Sequence, residues 1–257
     1  DVFAAEVAAA LGSVGVPSIL LKGPTIAHWL YPDGGRHYGD VDLLIPVTDR
    51  VGAFGVLADL GLREARSEEA PEERSSHAVP WTDDDGWTVD LHWNIVGFGV
   101  DDRSAWPVLA RHTSTVRSGG ADLVCLDEPA RAMHVALHAA QHGLVEPRPL
   151  RDLDRAIARL DDATWRAAVA VAMEADAVAP LAAGLRLRPA GAALADRLAL
   201  PTSMPRSVAI RRQGGGGTRT MAVARIAEAD GVKGKALAAW RWAVPSPWSD
   251  AGPGGGT

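Results

Sequence analysis

A chain of 257 residues, 47% of them apolar, can bury a substantial core as one large domain or two smaller ones. Its formal net charge of −6 argues against a broad basic footprint, so nucleic acid is not the expected partner. A lone cysteine, Cys125, excludes an intrachain disulfide framework, and with no apolar run of transmembrane length and no signal-peptide pattern the expectation is a cytoplasmic protein without a membrane partner.

The chain begins at Asp1 rather than methionine, which reads as a trimmed or incomplete N-terminus. Residues 2 to 12 are rich in helix formers and end at a glycine, so a first helix is expected there. Pro17 to Leu21 reads as a buried strand, and Pro24 suits the first turn of a helix running to about Leu30. Between them, Lys22 and Gly23 form the turn at that helix's N-terminus, where free N–H groups and a lysine suit a phosphate. Tyr31 to Gly39 is a loop that brings Arg36 beside the acids that follow, to brace Asp40 or Asp42 or to contact phosphate. Thr48 or Asp49 can cap a helix that Gly61 ends. Strands are expected over 62–66 and 77–82, around a solvated loop containing Glu68, Glu69, Glu72 and Glu73. Asp83-Asp84-Asp85-Gly86 lacks the ligand spacing of a calcium loop and reads as a hairpin turn.

A strand over 87–93 and a hairpin over 114–117 and 122–126 complete the sheet-forming part. From Asp127 the pattern turns helical, and His134, His138 and His142 recur at intervals of four on one stripe. A zinc site on that stripe is disfavoured, because no acidic or cysteine ligand of matching spacing stands near it, and a cleft-lining role is preferred for His138 and His142. Helices follow near 150–160, 162–177, 180–199 and 218–243. Asp152 reads either as a partner of a histidine on the preceding helix or as an ordinary N-terminal helix acid. Gly214 to Gly217 forms a break, and residues 246–257 form a disordered tail. Core packing explains the tryptophans at 81, 87, 93, 165, 240 and 242 better than base stacking does.

The chemistry concentrates in Gly39-Asp40-Val41-Asp42-Leu43-Leu44. In an extended strand Asp40 and Asp42 share one face while Val41 and Leu43 share the other. Val89-Asp90-Leu91-His92 alternates in the same way and puts Asp90 and His92 on one face. If the two strands are neighbours, Asp40, Asp42 and Asp90 form a carboxylate cluster able to hold divalent ions for in-line phosphoryl or nucleotidyl transfer. Mg²⁺ or Mn²⁺ suits these hard oxygens.

Lys22-Gly23, Tyr31-Pro32, Arg36, Gly39-Asp40-Val41-Asp42-Leu43-Leu44, Gly61, Val89-Asp90-Leu91-His92-Trp93 and His138-Ala139-Ala140-Gln141-His142-Gly143 occur in an order that resembles a bacterial family of uncharacterised nucleotidyltransferase-like proteins. That family lies within the polymerase-β-type superfamily, and the resemblance covers about residues 15 to 160. It departs from the superfamily pattern at Gly23, which is followed by Pro24 and Thr25 rather than serine, and in the long gap from Gly23 to Asp40.

The resemblance implies an α/β (α+β) fold, a mixed sheet with helices over residues 1–126 followed by a helical domain over 127–245. It implies transfer of an NMP group from an NTP to an unknown acceptor, with Asp40, Asp42 and Asp90 as catalytic metal ligands. Lys22, Gly23, Thr25, Arg36 and Gly39 become the nucleotide-binding set, and His92, His138 and His142 the acceptor side of the cleft. Family members encoded beside peptide natural-product pathways add a modified peptide to the candidate acceptors. The rival readings are a metal-dependent phosphohydrolase, a catalytically silent partner in a toxin–antitoxin or biosynthetic system, and a zinc hydrolase built on the histidine stripe.

Overall fold

The computed structural model describes residues 2–65 and 77–203, with a few isolated positions beyond. The expected acidic loop, the 214–217 break, Trp240, Trp242 and the 246–257 tail lie outside these residues, as does nearly all of the 218–243 helix.

The chain opens with α1 (Val2–Ser13), β1 (Ile19–Leu20), α2 (Pro24–Leu30) and β2 (Asp40–Leu44), and a 3₁₀ turn then leads into α3 (Arg50–Asp59). Next come β3 (Arg63–Glu64), β4 (Ala78–Thr82), β5 (Thr88–His92), α4 (Asp102–Leu109), β6 (Thr113–Ser118) and β7 (Ala121–Leu126). Five helices finish the described chain: α5 (Glu128–His142), α6 (Pro147–Arg159), α7 (Asp162–Glu174), α8 (Val178–Leu185) and α9 (Pro189–Arg197). The strands form one seven-stranded mixed sheet in the order β3-β4-β5-β2-β1-β7-β6. At its centre β2 runs parallel to β5 and antiparallel to β1, while β1 runs parallel to β7.

Alternation along the strands sorts the core onto two faces. Leu20, Val41, Leu43, Val89, Leu91 and Cys125 pack against α1 and α3. Ile19, Leu44 and Leu126 point the other way, into a cluster that continues through α2, α4 and α5 to α9. The acidic positions of β2 and β5 lie on that second face, so the helical part of the chain stands over them.

Several expected boundaries move. Asp49 occupies the position before α3 but makes no capping hydrogen bond, since Thr48 donates to its carboxylate instead. The region read as one helix over 180–199 is two, α8 and α9. Arg188, forced out of the helical region by the following Pro189, is extended at φ −123° and ψ 140°. Helix α4 had no sequence expectation: it is short and contains Pro107, and its start is marked only by Asp101, whose side chain accepts from Ser104 N. The Asp83–Gly86 turn forms as expected, with Asp83 accepting from the N–H groups of Asp85 and Trp87 and Gly86 at φ 86°.

Candidate functional site

The register of β2 on β5 sets Asp42 directly opposite Asp90 and Leu44 opposite His92. In parallel strands this brings Asp42, Asp90 and His92 to one patch of the sheet face. One ligand atom from each lies within 4.8 Å of the others, a spread that a single cation can gather. Two carboxylates and an imidazole are a donor set suited to a divalent ion. Asp40, the third expected ligand, lines the same cavity but stands outside that group of three, and His92, expected on the acceptor side, takes the third place.

Asp42 is 1% exposed, and a single oxygen, Oδ1, meets both of its partners. Lys22 Nζ lies 2.7 Å from Oδ1 and His92 Nε2 lies 3.1 Å from it. Burial would raise the Asp42 carboxyl, but the charge of Lys22 and the His92 hydrogen bond outweigh it and hold the group far below the usual carboxylate range. Lys22 is likewise raised above the ordinary lysine value: burial works against its charge, and Asp42, aided by Asp40 and Asp90, more than offsets that. Asp90 moves the opposite way to Asp42, raised first by burial and then by the nearby Asp42 charge. Two facing carboxylates of unequal proton affinity result, and a cation between them would relieve their repulsion.

The expected nucleotide-binding residues divide. Gly23 lines the cavity at φ 73°, and a Cβ there would come 3.2 Å from the Asp40 carbonyl, so the turn needs glycine both for its conformation and for its approach to β2. Thr25 does not reach the site: it is buried in the first turn of α2, and its hydroxyl donates to the Leu21 carbonyl four residues back, at 3.2 Å. Gly39 is exposed and is not among the lining residues. Arg36 lines the cavity but braces neither Asp40 nor Asp42. Its Nε and Nη2 donate to Asp152 at 2.9–3.2 Å, and Tyr31 Oη donates to the same carboxylate at 2.7 Å. Asp152 therefore pairs with an arginine 116 residues away rather than with a histidine of α5. Arg155 closes this knot, stacking 4.1 Å from the Tyr31 ring centre and donating to the Leu30 carbonyl. Burial, with help from the Asp152 hydrogen bond, pushes the Tyr31 hydroxyl up to about 12.

These groups open into a cavity of about 450 Å³ between the sheet face and the C-terminal half of α5. His134, His138 and His142 all line it, opposite the acids. Burial, reinforced by the charge of Lys22, lowers His134 to about 3 and His138 well below the ordinary histidine range, so both stand neutral. The rings of His138 and His142 meet edge to face at 4.5 Å, and His142 Nδ1 lies 2.8 Å from Glu146 Oε1. Gln141, Glu146 and Arg148 complete this wall. No sequence expectation attached to Glu146 or Arg148, because a turn flanked by prolines carries no periodicity that marks a face.

The profile of a family described as "Uncharacterised nucleotidyltransferase" matches residues 3–190. The chain belongs to that family. Family membership makes it an enzyme of the nucleotidyltransferase class, acting on an NTP. No curated protein matches the chain significantly. Among solved structures it is similar to the lincomycin-bound lincosamide antibiotic adenylyltransferase LnuA, at 12% identity and a TM-score of 0.42, over 59% of this chain and 92% of that one. It is also similar to the antibiotic-resistance factor ANT(2'')-Ia, at 16% identity and a TM-score of 0.42, over 77% and 92%. A third is an antigenic nucleotidyltransferase-like protein from Paracoccidioides brasiliensis, at 16% identity and a TM-score of 0.41, over 70% and 90%. Among the described residues no helix is long and apolar enough to cross a membrane.

Proposed function

We propose that this nucleotidyltransferase moves an NMP group from an NTP to a hydroxyl or phosphate acceptor at the Asp40, Asp42 and Asp90 end of the cavity, with Mg²⁺ or Mn²⁺ as cofactor. The observation that carries the reading is the direct opposition of Asp42 and Asp90 across β2 and β5, with His92 on the same patch and open cavity above them. A bound divalent ion would neutralise charge that develops on the phosphates. The remaining work falls to side chains of this chain. Asp42, steadied by His92, and Asp90 would hold the ion, and Asp40, which lines the same cavity, would join them. Lys22 and Arg36 would face the phosphates, Arg36 in an orientation fixed by Asp152.

Asp90 would also orient the acceptor and take its proton as the acceptor oxygen attacks the α-phosphorus. The bond from that phosphorus to the bridging oxygen of the β-phosphate breaks, and pyrophosphate leaves. The α5 wall, with the neutral His138 and with His142, would border the acceptor, which assigns the chain from about residue 127 onward to the acceptor side.

Calorimetric binding of ATP, GTP, CTP and UTP, with and without Mg²⁺ or Mn²⁺, tests this on the wild type and on the Asp40→Asn/Asp42→Asn double variant. Metal-dependent binding of at least one NTP, lost in a double variant that keeps its circular dichroism spectrum, is expected. Binding that the double variant retains would remove the acids from the site. No binding to any NTP would favour the catalytically silent reading.

A further inference from the structure

The reading of Asp42 as a metal ligand leaves Lys22 in a contradictory place. Its ammonium sits 2.7 Å from Asp42 Oδ1, on the carboxylate the ion would need, and that oxygen is already shared with His92 Nε2. An ammonium and a divalent cation brought onto one buried carboxylate repel each other at close range. We propose that Lys22 is the counter-ion of the ion-free site and exchanges Asp42 for nucleotide phosphate when the divalent ion enters, so that ion and nucleotide bind as one coupled event.

Four observations support the exchange. Lys22 stands between β1 and the positive-φ Gly23, at the edge of the cavity that Asp40, Asp42 and Asp90 also line, so its ammonium can leave Asp42 and still face the same space. Its side chain is a flexible four-carbon stem, 17% exposed, that can swing without backbone movement. The neighbouring cation cannot replace it, because Arg36 is held by Asp152 through Nε and Nη2, with Tyr31 bracing the same carboxylate. Asp42, at 1% exposure, would otherwise be a buried charge held by the His92 hydrogen bond alone, which gives the ion-free protein a reason to keep the lysine there. A fixed cation on the ligand carboxylate weakens binding of the bare ion. Phosphates that draw the lysine away remove that competition and gain a positive partner. The coupling is reciprocal, so the ion must raise nucleotide affinity by the factor by which nucleotide raises ion affinity.

The test is titration with Mn²⁺, free ion being read by electron paramagnetic resonance, on the full chain as wild type, Lys22→Met, Lys22→Arg and Asp42→Asn, each with and without α,β-methylene-ATP. Without nucleotide, Lys22→Met is expected to bind Mn²⁺ about tenfold tighter than wild type or more, while Lys22→Arg, which keeps the charge, does not gain. With the analogue present the order reverses, and Lys22→Met holds the Mn²⁺–nucleotide complex less tightly than wild type. A Lys22→Met variant that binds bare Mn²⁺ no tighter than wild type overturns the exchange. Retained Mn²⁺ binding in Asp42→Asn, or no Mn²⁺ binding by any form, overturns the metal reading beneath it as well.

A second measurement avoids dependence on how Lys22→Met folds. The sequence contains three lysines, Lys22, Lys233 and Lys235, so ¹⁵Nζ-lysine spectra of the wild type are sparse and Lys22→Arg identifies the relevant signal. That signal is expected to move when Mg²⁺ and α,β-methylene-ATP are added together. A Lys22 signal unchanged at saturation with both would overturn the exchange.

Discussion

Tyr31, Arg36 and Asp152 show at the scale of single residues how the site is held. The Arg36 and Asp152 side chains are 6% and 3% exposed, so neither has water as a substitute partner. Asp152→Ala is therefore expected to cost about 3–5 kcal/mol in urea denaturation, because it strands a buried guanidinium. Tyr31→Phe removes one hydrogen bond and should cost about 1 kcal/mol. If Asp152→Ala unfolds at the wild-type urea midpoint, the pair is not structural. None of this was legible in the sequence: Arg36 lies in a loop four residues before Asp40, whereas its actual partner, Asp152, arrives from α6. Lys22 is ambiguous in a related way, since a lysine beside a phosphate-binding turn and a lysine bound to a carboxylate one strand away look the same in sequence. Asp40, Asp42 and Asp90 could be read because a period of two fixes their faces before any tertiary contact is known.

At the scale of elements, alternation gave the faces but not the partners. Parallel pairing of β2 and β5 decides that Asp42 meets Asp90 rather than a neighbour, and sequence pattern does not encode that register. Helices α5 and α8 pack closely because Gly184 has no side chain, and a methyl there would overlap the Ala136 carbonyl. Gly184→Ala should destabilise by about 1–3 kcal/mol or more and shift α5, the helix that carries the histidine wall. An unchanged thermal midpoint would show that the two helices separate freely. Short α4 and the break at Arg188 escaped the sequence reading because each depends on one local signal, the Asp101 cap in the first, countered by Pro107, and Pro189 in the second.

At the scale of the whole molecule, the histidine wall links stability to pH. His134 has an ordinary value near 6.5 and is lowered to about 3 by burial, so below pH 6.5 the unfolded chain takes up a proton that the folded chain refuses. Folding stability should therefore fall as pH drops from about 6.5 towards 3, with His138 acting in the same direction. Asp42, whose carboxyl is depressed, adds a loss below its ordinary value, while the raised carboxyl of Asp90 contributes with the opposite sign. His134→Gln should flatten the dependence between pH 6 and 4.5 by up to about 1.4 kcal/mol per pH unit, one proton's worth, as read from urea midpoints. An equally steep variant would show that His134 does not titrate on unfolding. The claim on which the function rests is that Asp42 and Asp90 hold a divalent ion beside a nucleotide. It is tested most directly by a crystal structure of the wild type grown with Mn²⁺ and α,β-methylene-ATP, using anomalous scattering to locate manganese. A manganese peak bridging the Asp42 and Asp90 carboxylates, with the α-phosphate next to it in the cavity, is expected. Nucleotide bound elsewhere, or a cavity in which no manganese touches Asp42, would contradict it.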